Sequence, residues 1–314
     1  MFAVRGIGVS LATFALVYFI LSLAVSYGWR FGQRWARHLS PRHTADLLFV
    51  LRVLPLLVAS AITMAYTIPS FLLLEPAAAD EPMGMPLLAL GMACLGLLGV
   101  GIARAVIAQR KTSLALASWL RGARAIEPGA TVPVFQTGKN APSLTVAGVC
   151  APQVLISETA LAVLTEQELR TALRHEIAHV RRYDNLKKLV FRLSAFPGMK
   201  PLESAWSEAS ELAADDAAVS SFPDALDLAA ALIKLSRLAP VQPVFLTTGL
   251  LHTSVGSLSL RVQRLFAWST PRAAQDFRRW WYAVPAIVAV LACVISTYSL
   301  ALTGMHELTE MLVR

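Results

Sequence analysis

Cysteine is scarce in this chain of 314 residues, which has three of them, Cys94, Cys150 and Cys293, at widely separated positions. None belongs to a C-x-x-C pair, so the sequence indicates neither a disulfide framework nor a cysteine-based metal site. We therefore expect all three to be small, buried, apolar side chains.

Charged residues are also few. They make up 15% of the chain, against about 25% in soluble domains, while 56% of the residues are hydrophobic. This composition excludes a disordered chain and an ordinary soluble globule. The formal net charge is nevertheless +8, which can indicate a nucleic-acid partner, an anionic lipid surface or the flanks of membrane helices.

The apolar residues are concentrated in four stretches without charge: Gly6–Trp29, Val53–Leu74, Pro82–Ala103 and Trp280–Met305. Each is long enough to cross a hydrocarbon core of about 30 Å as a helix. Buried core helices are the alternative, but four of this length exceed what one core would use. The sequence predicts three transmembrane helices within 1–108, a polar domain at 109–279, and a fourth transmembrane helix with a short tail at 280–314.

Basic residues predict the orientation of these helices. They follow the first and third stretches and precede the fourth, whereas the link after the second carries Glu75, Asp80 and Glu81 and no basic residue. The positive-inside rule therefore places both termini outside and the polar domain in the cytoplasm, in the plasma (inner) membrane. Topology thus explains the basic charge, and we expect the lipid bilayer, and no direct nucleic acid, as a partner.

The polar domain begins with three extended segments, VPVFQT, SLTVAGV and QVLIS, separated by turn residues. SLTVAGV is a candidate edge strand along which a peptide could add main-chain hydrogen bonds. Thr165 and Glu168 then form a T-x-x-E capping box, which predicts the start of a helix. The apolar residues of that helix recur at helical spacing: Leu169, Leu173, Ile177 and Val180.

His175, Glu176 and His179 on this helix form an H-E-x-x-H motif. Residues four apart share a helix face, so both imidazoles can bind one metal ion, and the carboxylate between them can act as a general base. Two surface histidines beside a solvated glutamate are the alternative. Asp184, which follows the helix, is expected to end or orient it.

A third ligand is expected on the later segment SAWSEASELAADDAAVSS. Glu211 and Asp215 are four residues apart there, so Glu211 could bind the metal while Asp215 accepts the free N–H of a metal-bound histidine. A helix whose acidic side chains are only solvated is the alternative. Spacing alone also leaves three other acidic residues open as the third ligand: Glu203, Glu208 and Asp216.

LRHEIAHVRRYDNLKKLV followed by SELAADDAAV resembles the membrane zinc metallopeptidases of the gluzincin type that include the β-lactam sensor-transducers. The resemblance implies one Zn²⁺ bound by His175, His179 and Glu211, with Glu176 as general base and Asp215 as the supporting catalytic carboxylate. It also implies a multi-pass α-helical membrane protein with four transmembrane helices and a cytoplasmic α+β zinc metalloprotease domain.

Three features depart from that family. FRLSAFPGMKPLESAW lacks the aromatic-rich, His-Pro-containing character usual between the two motifs, and Ala214 stands where a cysteine is common. The chain also ends shortly after its fourth apolar stretch, so we expect no penicillin-binding sensor domain and no direct antibiotic sensing. A second family, of the heat-shock quality-control and prenyl-protein type, places membrane helices between its motifs, and about thirty residues are too few for such a pair.

The motifs therefore predict a zinc endopeptidase. The resemblance implies that it cleaves a cytoplasmic or membrane-associated protein, such as a transcriptional repressor, in signal transduction or regulated proteolysis. A non-catalytic transducer with a structural metal site and a quality-control protease are the alternatives. A transporter would carry ionisable residues inside its spans, whereas only Arg52 lies at a boundary. His252, Arg261 or a tyrosine could stabilise the reaction's oxyanion. RVQRL, which contains Arg261, is however typical of an exposed helix surface.

Overall fold

The computed structural model describes residues 2–36, 38–75, 84–126, 132–138, 141–238, 247–248, 255–268, 296–309 and 311. Most of these residues are helical, and a small mixed sheet accompanies the helices. The chain divides into two compact units: Met1–Tyr27, Val53–Gly99 and Pro271–Arg314 form the first, and Gly28–Arg52 with Val100–Thr270 form the second.

Among the described residues, three helical segments are long and apolar enough to cross a membrane, namely Phe2–Arg34, Pro41–Leu74 and Met85–Trp119. They contain the first three predicted apolar stretches, apart from residues 82–84; 82 and 83 lie outside the described residues, and 84 precedes the third helix. The helices extend beyond the apolar stretches because polar and charged residues continue the helical backbone. The fourth predicted span, Trp280–Met305, lies largely outside the described residues, although 296–309 is helical.

The apolar helices of the first unit include α1 (Phe2–Ala36) and α4 (Met85–Trp119), both of which continue into the second unit. Between them, α2 (Pro41–Ile62) leads through a π-helical turn, Thr63–Thr67, into α3 (Ile68–Leu74). Within the first unit the Tyr298 hydroxyl donates to the Ala65 carbonyl (2.8 Å), and the Ser70 hydroxyl donates to Leu302 (3.1 Å). These bonds satisfy polar groups that would be costly to leave unpaired in an apolar environment.

The second unit contains the sheet. Its strands are β1 (Arg124–Ala125), β2 (Val134–Thr137), β3 (Leu144–Ala147), β4 (Gln153–Ser157) and β5 (Thr247–Thr248), in the order β1-β2-β4-β3-β5. β2 and β4 are parallel, and the other pairs are antiparallel. The three segments predicted as extended are thus confirmed as β2, β3 and β4.

The prediction that SLTVAGV is an open edge strand is wrong for its second half. β5 pairs with β3 in the register Val146↔Thr248 and Ala147↔Thr247. The Asn185 side-chain amide also donates to the carbonyls of Val146 (3.3 Å) and Gly148 (3.0 Å). These main-chain groups therefore already have partners, which come from segments distant in sequence.

Six helices complete the described part of the second unit: α5 (Glu158–Val163), α6 (Glu166–Arg181), α7 (Asp184–Leu193), α8 (Lys200–Ala218), α9 (Phe222–Ser236) and α10 (Val255–Phe266). The predicted capping box at the start of α6 is confirmed, with Thr165 and Glu168 each accepting from the other's backbone N–H. Leu169, Leu173 and Val180 pack against the unit's apolar core, while the opposite side of α6 faces α8. The helix is therefore held from both sides.

The cysteine prediction is partly wrong. Cys94 is buried as expected, but Cys150 is exposed after the turn that follows β3. Cys293 lies outside the described residues.

Candidate metal centre

Helices α6 and α8 bring together the three residues predicted as metal ligands. His175 and His179 lie one turn apart on α6, and Glu211 lies on α8. One potential ligand atom of each lies within 4.8 Å of the others, and all three residues are buried. This group could bind a metal ion, as the spacing of the two motifs predicts.

The separations between these atoms suit a small tetrahedral cation. The two Nε2 atoms are 3.2 Å apart, and the Glu211 carboxylate oxygens lie 3.6 Å from Nε2 of His175 and 3.7 Å from Nε2 of His179. Ligands about 2.1 Å from a tetrahedral Zn²⁺ are about 3.4 Å apart. Two imidazoles and one carboxylate also form a donor set that zinc enzymes use with a fourth position open.

The second ring nitrogen of His175 faces a carboxylate. Its Nδ1 lies 3.0 Å from Oδ1 of Asp215, which is one turn beyond Glu211 on α8. A carboxylate there favours the tautomer that carries hydrogen on Nδ1 and so directs the lone pair of Nε2 toward the ligand cluster. The structure thus places Asp215 where the sequence predicts a supporting carboxylate.

His179 has a matching partner in Asp184. The His179 Nδ1 lies 2.7 Å from Oδ2 of Asp184, and the Ser210 hydroxyl donates to the same oxygen at 2.6 Å. Asp184 is fully buried. It reaches back to a residue five positions earlier because Tyr183, between α6 and α7, adopts a left-handed conformation with φ 56°. Asp184 therefore orients a candidate ligand, which goes beyond the expected role of ending the helix.

Arg261 of α10 connects the two acidic residues of α8. Its guanidinium donates to Asp215 through Nε (2.8 Å) and Nη2 (2.7 Å), and to Oε2 of Glu211 through Nη1 (2.9 Å). The side chain is 1% exposed. The prediction that this arginine lies on an exposed helix surface is wrong, because Arg261 is buried and pairs with two carboxylates. Its candidacy for stabilising the oxyanion stays a prediction. The other candidate, His252, lies outside the described residues.

Burial and neighbouring charges act in opposite directions on His175. Burial lowers the pKa of its imidazole, but the carboxylates of Asp215 and Glu211 outweigh this effect and raise the pKa to about 9. Without a metal, the imidazole therefore carries two hydrogens at neutral pH. A cation that binds at Nε2 must displace one of them, as is usual when metals bind histidine.

The pKa values of two acidic residues of α8, Glu211 and Asp215, are lowered. Burial raises the pKa of Glu211 and Asp215, but the Arg261 guanidinium acts together with His175, and for Glu211 also with His179, to outweigh burial and hold both pKa values below their ordinary range. For Asp184, burial raises the pKa, and hydrogen bonding to His179 and Ser210 together with the charge of Arg182 lowers it overall. The three carboxylates are therefore ionised at neutral pH, which favours a divalent cation beside them.

Glu176, the predicted general base, is fully buried and directly follows His175 on α6. The ammonium group of Lys188 lies close enough to interact with it electrostatically and donates to the Thr247 carbonyl at 2.7 Å. Burial lowers the pKa of Lys188, although Glu211, Asp184 and Glu176 oppose the shift.

The alternative third ligands have other surroundings. Glu203 pairs with Arg52 (3.0 Å), and Asp216 pairs with Arg264 (2.8 Å). Glu208 is exposed. Among the described acidic residues of α8, Glu211 is the one whose oxygens approach both imidazoles.

Comparison of the whole sequence with models of known protein families gives no match, and no characterised protein matches it. The resemblance to membrane metallopeptidases therefore depends on the two motifs.

Changing Asp184 to Asn tests its role as the partner of His179. The amide keeps the size of the side chain but loses the charge that favours hydrogen on Nδ1, so we expect the affinity for a divalent metal ion to fall by about tenfold to a hundredfold. Competition with a chromophoric chelator measures the affinity. Asp227→Asn, on α9, is the control and should bind like the wild type. Equal affinities in the two variants would show that Asp184 does not tune the site.

Proposed function

We propose that this protein is a membrane-bound zinc endopeptidase whose metal ligands are His175, His179 and Glu211. The observation that carries the proposal is the convergence of these three side chains, with a separate carboxylate facing each imidazole. A structural site needs no further acid, so the buried Glu176 beside the ligands favours catalysis over a purely structural role.

A bound zinc ion would supply Lewis acidity and would lower the pKa of a coordinated water. Glu176 then takes a proton from the attacking water as its oxygen adds to the carbonyl carbon of the peptide. When the carbon–nitrogen bond breaks, Glu176 delivers this proton to the leaving amine nitrogen. The products are a carboxylic acid and an amine, which together contain the atoms of the peptide and one water.

The neighbouring residues keep this arrangement in place. Asp184 and Asp215 orient the two imidazoles, and Arg261 holds Glu211 and Asp215 in fixed positions. Such preorganisation reduces the rearrangement needed at the moment of reaction. The substrate class is a polypeptide, and by the positive-inside rule we place the site on the cytoplasmic side of the membrane.

The test uses the purified full chain in detergent with an unfolded protein as substrate. We expect about one zinc per chain, cleavage that stops when a chelator removes the metal, and recovery when zinc is added back. Cleavage that is insensitive to metal removal would contradict the proposal. So would the absence of cleavage across a broad peptide library by protein that retains its zinc.

A further inference from the structure

Arg52 is a charged residue within a candidate membrane-spanning segment, Pro41–Leu74. Its side chain is 2% exposed. Arg52 lies just before the apolar stretch Val53–Leu74, and a buried charge is costly to desolvate unless it is paired and hydrogen-bonded. The peptidase mechanism makes no use of Arg52, so its partners indicate what it does.

The guanidinium of Arg52 joins the end of α7 to the beginning of α8. Nη2 donates to the carbonyl of Phe191 in the last turn of α7 (3.4 Å) and to that of Ser194, the C-cap residue (2.5 Å). Nη2 and Nε also donate to Oε1 of Glu203, in the first turn of α8, at 3.0 and 3.2 Å. One side chain of α2 thus satisfies a helix C-terminus and a carboxylate at once.

These two helices position the metal centre. α7 begins with Asp184, the partner of His179, and α8 carries the candidate ligand Glu211. Ser210 of α8 donates to Asp184 at 2.6 Å. Helices α7 and α8 are therefore joined at two places. One is this hydrogen bond at the metal centre, and the other is Arg52, about 15 Å further along α7.

Other contacts join α2 to α7 and to the end of α6. Asp46 lies 3.3 Å from a guanidinium nitrogen of Arg182 and 3.5 Å from the ammonium of Lys187. The ring of Phe49 lies 5.7 Å from that of Phe191. On α4, a Cβ at Gly101 would collide with the Leu193 carbonyl oxygen, so this glycine permits a close approach to the end of α7.

We propose that Arg52 is a positioning residue of the metal centre, which fixes α7 against α8 and thereby sets the placement of Asp184 relative to Glu211. This inference rests on the metal centre of the proposed function. In this proposal, the polar end of the candidate membrane-spanning segment Pro41–Leu74 helps to position the metal centre. A shift of that helix would then change metal binding without touching a ligand.

The experiment uses the full chain in detergent, loaded with Co²⁺, whose visible absorption depends on the number and geometry of its ligands. Arg52→Gln is compared with Arg52→Lys and with Arg110→Gln, an exposed arginine of α4. We expect Arg52→Gln to weaken metal affinity by about tenfold and to alter the absorption bands. Arg52→Lys keeps the charge but lacks the several N–H donors of the planar guanidinium, so its metal affinity should lie between those of the wild type and Arg52→Gln. Arg110→Gln should match the wild type.

A folded Arg52→Gln protein with wild-type affinity and absorption would overturn the proposal, even if it melts at a lower temperature. If that variant does not fold, Glu203→Gln decides by the same two readouts, because it removes the charge and keeps the size. The peptidase proposal is judged separately on the wild type. Wild-type protein that binds Co²⁺ and cleaves no peptide contradicts the peptidase and leaves the Arg52 comparison valid.

Discussion

Glu176→Gln should retain its metal and lose peptide cleavage, with kcat lower by about a thousandfold or more. Glutamine has nearly the same size as glutamate, and Glu176 is not among the three residues whose atoms converge. The amide cannot accept the water's proton at neutral pH, so the attacking nucleophile is not generated. The largest effect is therefore on the chemical step, while metal content stays at the wild-type level.

Turnover of a fluorogenic peptide and zinc content, measured on the same preparations, test this expectation. The matched control is Glu166→Gln, which changes an exposed glutamate at the start of the same helix. It should leave both quantities unchanged. Cleavage by Glu176→Gln at the wild-type rate would remove the peptidase proposal and favour a transducer with a structural metal.

Glu211→Gln should have the second large effect, a loss of zinc affinity of about a thousandfold. The amide is a much weaker zinc ligand than a carboxylate, and two imidazoles alone form an incomplete site. The protein should still fold, because Arg261 keeps its two bonds to Asp215 and the amide oxygen can accept from Nη1. The defect therefore concerns metal binding more than stability.

Chelator competition on folded protein measures this loss. Glu208→Gln, an exposed position three residues earlier on α8, provides the control and should bind zinc normally. If Glu211→Gln binds zinc as tightly as wild type, the third ligand is a different residue. The convergence of Glu211 with the imidazoles would then have another cause.

The local parts of the site were predictable from sequence. Helical periodicity places His175 and His179 on one face wherever the helix packs, and the Thr165 capping box fixes where α6 begins. The second motif required only that Glu211 and Asp215 share a face of α8. Each of these features depends on residues within about one helical turn of each other, so the spacing of residues in the sequence is enough to predict it.

The parts that the sequence did not predict depend on contacts between distant segments. Arg261 approaches α8 from a helix about fifty residues away, and nothing in RVQRL distinguishes a buried arginine from an exposed one. The position of Asp184 depends on the left-handed backbone conformation of Tyr183. Glycine is the residue that usually indicates this conformation, and the sequence has a tyrosine there. The edge of β3 was assigned as open because its partners, β5 and Asn185, lie far from it in the chain.

X-ray absorption at the zinc edge of the full-length protein tests the central claim most directly, because it reports the atoms bound to the metal. We predict about one zinc per chain, with scattering from two imidazole rings at about 2.0–2.1 Å and the remaining ligands oxygen. His179→Ala should remove one imidazole contribution. Zinc bound without imidazole, or bound through sulfur, would contradict a centre made of His175, His179 and Glu211.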